Sequence, residues 1–96
     1  MHGKVPCVYI LASKRNGTLY TGVTSNLSKR LDEHRFGAAE SFTKKYGVHR
    51  LVHVEMYENM DDAISREKQI KGGSREKKIA LIEENNPVWR DLSDEL

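Results

Sequence analysis

The chain has 96 residues, enough for one domain with a modest core and too few for a second catalytic lobe. With 38% apolar and 31% charged residues, it has the make-up of a self-folding globular protein and not of a disordered one. Net charge is only +2, yet residues 1–50 carry nine Lys/Arg against three Asp/Glu while residues 51–96 carry seven against eleven, so the first half has the charge to meet phosphate.

No apolar run approaches the roughly 20 residues of a membrane span, and Met1-His2-Gly3-Lys4-Val5-Pro6 lacks the apolar stretch of a secretory signal. A cytoplasmic location without membrane contact is the expectation. Cys7 is the single cysteine, so neither an intrachain disulfide nor a cysteine-based zinc cluster can form, and the thiol is expected in the core.

Val5 to Ala12 is a continuous apolar run and predicts a buried strand. Asn16-Gly17 tolerates positive φ and turns the chain into a return strand, Leu19-Tyr20-Thr21-Gly22-Val23, where Gly22 permits a bulge or a close backbone approach. A first helix follows Thr24-Ser25-Asn26, with Leu27 and Leu31 on one face. Phe36 to Gly47 reads as a mobile basic loop carrying Lys44 and Lys45. Leu51 to Tyr57 is the third strand, with Val52, Val54 and Met56 on one side. Asn59 caps a second helix that ends at Gly72-Gly73, and Ser74 opens a third that runs to about Asn85. Trp89 and Leu92 are expected to pack back on the domain. The order β-β-α-β-α-α predicts an α/β fold, a three-stranded antiparallel sheet flanked by helices, spanning residues 1–96 as one domain.

Three features carry chemistry. Glu67 lies four residues after Ala63 and three before Ile70, on the apolar stripe of the second helix, where a carboxylate costs several kcal/mol, by order of magnitude, unless it is paired or metal-bound. Arg30 and His34 share a helix face at i, i+4; arginine grips phosphate oxygens through its fork and histidine exchanges protons near neutral pH. Tyr9 and Tyr20 lie on the two hairpin strands. A strict two-residue turn would set them about 13 Å apart, direct opposition needs a longer loop, and either register puts both phenols on one face. Each feature alone has a structural explanation: an ion pair for Glu67, a solvated face for Arg30 and His34, packing for the tyrosines.

Together these residues resemble the GIY-YIG nuclease family. Val8-Tyr9-Ile10 stands for the first half-motif and Tyr20-Thr21-Gly22 for the second; Arg30 with His34 four residues later matches the helix that follows, and Glu67 matches the metal-binding glutamate. The stretch Arg66-Glu67-Lys68-Gln69-Ile70-Lys71 and the ending Asn86-Pro87-Val88-Trp89 look like small stand-alone bacterial members. Cys7 replaces the first glycine of the motif, and Val23 stands where some members carry lysine. Asn85 or Asn86 is the candidate for an asparagine that members place near the site.

The resemblance implies a metal-dependent endonuclease acting on nucleic acid, DNA ahead of RNA, in repair or processing. It implies one Mg²⁺ or Mn²⁺ held by Glu67, a water positioned by Tyr9 or Tyr20, a proton relay through His34, and charge neutralisation by Arg30, with Arg30, Lys44 and Lys45 meeting the nucleic acid. The rival readings are a nucleic-acid-binding module of the same fold without significant catalysis, and a protein-interaction domain; the sequence leaves room for a protein partner or an oligomer.

Overall fold

The computed structural model describes residues 5–36 and 45–95. Three strands form an antiparallel sheet in the order β2-β1-β3: β1 (Cys7–Ala12), β2 (Leu19–Thr24) and β3 (Arg50–Met56). The central strand explains its own composition. Every residue of β1 is buried because both of its faces are covered, so a continuous apolar run is required there instead of an alternating one.

Helix α1 (Leu27–Arg35) supplies Leu27 and Leu31 to one face, where they pack with Cys7, Tyr9, Leu11 and Leu51. Helices α2 (Met60–Lys71) and α3 (Arg75–Asn85) supply Ala63, Ile70 and Ile82 to the other face, against Val8, Ile10 and Ala12. The helix starts follow the capping chemistry read from the sequence: the side chains of Asn26, Asn59 and Ser74 accept hydrogen bonds from the backbone N–H of Lys29, Asp62 and Lys77. Trp89 is fully buried in the α2–α3 core and donates its indole N–H to Glu83 at 2.7 Å. Leu92, in a closing 3₁₀ turn over Leu92–Glu95, packs on the α1 side.

Two registers differ from expectation. The hairpin connection spans residues 13–18, with Asn16 at φ 59° and Ser13 N–H bonded to the Thr18 carbonyl at 3.0 Å, so Ala12 pairs with Leu19 and Tyr20 lies opposite Leu11. This is longer than a two-residue turn and shorter than direct opposition of the tyrosines requires. On β3, Val52 does not share a face with Val54. The pairing with β1 slips between Ile10↔His53 and Leu11↔Leu51, a bulge that sends Val52 into the α2–α3 core and Val54 toward α1.

Candidate functional site

Tyr9 is buried at the centre of the sheet with its ring toward α1. Its strand partner is Gly22, and the close approach anticipated there is what the structure shows: a Cβ on Gly22 would lie 2.5 Å from the Tyr9 hydroxyl. Glycine at this position makes room for the phenol. Tyr20, two residues back along β2, tilts toward it with ring centroids 6.3 Å apart.

His34 closes the group. It falls three residues after Leu31 on the inner stripe of α1 and is 1% exposed, and its Nε2 shares a 3.0 Å hydrogen bond with the Tyr9 hydroxyl. The phenol donates when the imidazole carries its proton on Nδ1. The imidazole also meets the Tyr20 ring edge-on, with centroids 5.2 Å apart. Burial, helped by the neighbouring Tyr20, pushes the Tyr9 hydroxyl well above the ordinary tyrosine range even with Arg30 acting against it, so Tyr9 is a neutral phenol at pH 7.

Arg30, one turn before His34, brings the charge. Burial works to lower its pKa, but Tyr9 beside it and Glu33 outweigh that and hold the guanidinium above its ordinary value. Its Nε pairs with Glu33 at 3.1 Å on the half-exposed outer side of the helix. Glu33 is not among the residues that the sequence singled out, although its i, i+3 spacing from Arg30 announces the pair.

The structure therefore joins four of the candidate residues, Tyr9, Tyr20, Arg30 and His34, from three separate elements. Glu67 comes from a fourth element. It is buried as expected, its side chain 12% exposed, but on α2, which packs against β2 and β1, with Ala63 and Ile70 of the same helix in the core of the opposite face. Its partner is Lys71, one turn on, with Nζ 2.6 Å from Oε2, and not an arginine. Lys45 is exposed, its ammonium 5.4 Å from the Tyr46 ring centroid; Lys44 lies outside the described residues. Asn86 is committed elsewhere: its amide donates to the carbonyls of Val52 and Arg90 and accepts from the Arg90 N–H, which fastens the tail to β3. Asn85 is exposed.

Residues 5–80 match the family profile described as the GIY-YIG catalytic domain. The chain belongs to the GIY-YIG family. A UPF0213 protein of Syntrophus aciditrophicus is 44% identical over 79 residues, covering 81% of this chain and 90% of the relative. One from Clostridium perfringens is 44% identical over 75 residues, 78% of this chain and 80% of the relative. The solution NMR structure of a UPF0213 protein from Bacillus halodurans superposes with a TM-score of 0.57 at 28% identity, over 94% of this chain and 95% of that one, and shares the fold.

GIY-YIG membership places the chain in a nuclease superfamily whose substrates are nucleic acids and whose members generally use divalent metals. No helix among the described residues is long and apolar enough to cross a membrane. Among the same residues no three His, Cys, Asp or Glu side chains converge into a metal cage. Glu67 offers a hard carboxylate with one oxygen held by Lys71, so the donor set fits a cation held by a single GIY-YIG carboxylate and completed by solvent and phosphate oxygens.

Proposed function

We propose that the protein hydrolyses phosphodiester bonds in nucleic acid, DNA ahead of RNA, as a divalent-metal-dependent endonuclease whose reacting groups are Tyr9, Tyr20, Arg30, His34 and Glu67. The observation that carries this reading is the buried 3.0 Å bond between Tyr9 and His34, with the Tyr20 ring against the same imidazole and Arg30 beside the phenol. The phenol and the imidazole are buried together, and Arg30 reaches the phenol from the half-exposed side of α1.

The roles follow from the side chains. Arg30 meets the phosphate oxygens and neutralises the charge that grows on them in the transition state, typically worth about 10²–10³ in rate. Tyr9 begins as a neutral phenol and passes its proton to Nε2 of His34, which becomes imidazolium. The phenolate, beside Arg30, then takes a proton from water as the water oxygen bonds to phosphorus and the bond from phosphorus to the 3′-oxygen breaks; the leaving 3′-oxygen takes a proton from solvent and the His34 imidazolium returns one to solvent, giving a 5′-phosphate and a 3′-hydroxyl. Tyr20 positions the water or the phosphate. Glu67 would hold Mg²⁺ or Mn²⁺, which when bound supplies Lewis acidity toward the phosphate oxygens.

One observation favours the second reading, a binding module of the same fold: the Glu67 carboxylate is already clasped by Lys71. Cleavage of labelled single-stranded, duplex and branched DNA, with RNA alongside, in Mg²⁺ or Mn²⁺ separates the two. Metal-dependent cutting that disappears in folded Glu67→Ala and Arg30→Ala supports hydrolysis at this site. Tight binding without cutting by the wild type selects the module, and cutting that survives Glu67→Ala removes that residue from the mechanism.

A further inference from the structure

The turn between α2 and α3 borders a half-open cleft of about 440 Å³, within the range of small-ligand clefts. Four cationic side chains line it, those of Arg66, Lys68, Lys77 and Lys78, and among the described residues no acidic one does. Such a concentration stands out in a chain whose net charge is +2. Their states differ. Arg66 is consumed by Glu55, with Nε and Nη2 at 2.8 and 3.1 Å from its carboxylate, and by Gln69. Lys78 reaches only the Lys71 carbonyl, at 3.4 Å. Lys68 and Lys77 are exposed, and their ammonium groups have no bonding partner among the described residues. Three like charges therefore face one concavity with little to offset them, an arrangement that an anion relieves.

The floor is apolar. Ile70, 6% exposed, and the half-buried Leu81 lie beneath the lysines. A ligand with an anionic end and a flat or weakly polar body satisfies both parts, the phosphate against the ammonium groups and the sugar or base against the isoleucine and leucine. The lining of the cavity includes none of Tyr9, Tyr20, Arg30, His34 or Glu67. Arg66 and Glu67 are neighbours about 100° apart around α2, so Glu67 turns into the buried stripe while Arg66 turns toward Glu55 and the cavity.

The geometry points to a second, non-catalytic nucleotide-phosphate site in this cavity, gripping one nucleotide of a strand away from the bond to be cut. The strand as its source rests on the nucleic-acid reading above; the alternative source of the same chemistry is a free nucleoside monophosphate.

The test reads binding and not turnover. Fluorescence anisotropy of a labelled DNA strand in EDTA compares the wild type with a Lys68→Ala/Lys77→Ala/Lys78→Ala variant over a salt series, while amide NMR of the wild type follows Gly72, Gly73 and Lys77 during titration with a nucleoside 5′-monophosphate. The variant is expected to lose about tenfold or more in affinity, and the slope of log K against log salt to become shallower by about 0.7 for each phosphate that is no longer neutralised. Saturating amide shifts with unchanged strand binding would also support the site and assign the free nucleotide as its ligand. Unchanged affinity and slope together with unmoved amides would overturn it. Both readouts are taken in EDTA or without turnover, so a failure of the hydrolysis reading, seen as absent cleavage with metal, is read separately from a failure of this one.

Discussion

On the α1 side of the sheet a tyrosine, a histidine and an arginine meet, with the half-exposed Glu33 at the outer edge of the arginine. On the α2 side the same three residue types close around a carboxylate. Glu55 accepts from His53 Nε2 at 2.8 Å, from the Tyr57 hydroxyl at 2.7 Å and from Arg66 through two nitrogens. Burial alone would raise its pKa, but these bonds from Arg66, His53 and Tyr57 outweigh burial and hold the carboxyl at about 2. The two clusters differ in what completes them. The Glu55 cluster closes on a carboxylate of its own strand, whereas the Tyr9 cluster is built on a phenol–imidazole bond with an arginine beside it, the arrangement to which the proposed function assigns the phosphate chemistry. The same residue types thus close on a carboxylate on one face and, in the proposed function, act on a phosphate on the other.

The sharpest way to break this contrast is to remove the arginine from one cluster and the carboxylate charge from the other. Arg30→Ala should lower the cleavage rate by about 10²–10³-fold, checked by single-turnover kinetics, with the melting temperature nearly unchanged because its ion pair with Glu33 lies on the helix surface. Glu55→Gln should do the reverse, costing about 2–3 kcal/mol of stability in urea unfolding while the folded fraction keeps its activity. Its pH dependence has a definite sign. The folded carboxyl binds protons less tightly than the unfolded one, with a pKa of about 2 against an ordinary 4.5, so its contribution is complete above about pH 5 and is lost as the pH falls toward 2. The Gln variant should lack that part of the acid unfolding profile.

Gly22→Ala probes how tightly the Tyr9 cluster is built. The new methyl group would meet the buried Tyr9 ring, so a loss of about 1–3 kcal/mol and displacement of the His34 ring resonances are expected in thermal melts and NMR spectra. The smallest effect belongs to Lys71→Ala. Removing its exposed ammonium leaves the mostly buried Glu67 carboxylate without that partner and should cost about 1 kcal/mol, while freeing a carboxylate oxygen should tighten Mn²⁺ binding measured by calorimetry.

Much of this was legible in the residues. The apolar run of β1, the caps at Asn26, Asn59 and Ser74, and the Gly72-Gly73 stop encode local choices that the fold keeps, and the stripe position of Glu67 showed that it would be buried. Alternation put both tyrosines on one face, and the i, i+4 spacing put Arg30 and His34 on another that packs against it. What escaped was decided by pairing between elements. The bulge that separates Val52 from Val54 carries no glycine or proline to mark it, since it arises from fitting β3 to two cores at once. The hairpin length depended on how Ser13 and Thr18 bond across the turn. The Glu55 cluster was missed for a different reason: His53, Glu55 and Tyr57 alternate along one strand, a readable signal, but the residue that closes it, Arg66, comes from another element.

The most direct test of the central contrast is a side-by-side rate of Mn²⁺-dependent cleavage of labelled DNA by Arg30→Ala and Glu55→Gln, each confirmed folded at the assay temperature by circular dichroism. Glu55→Gln is expected to cut near the wild-type rate and Arg30→Ala about 10²–10³-fold more slowly; equal losses in both, or an Arg30→Ala variant that cuts like the wild type, would contradict this.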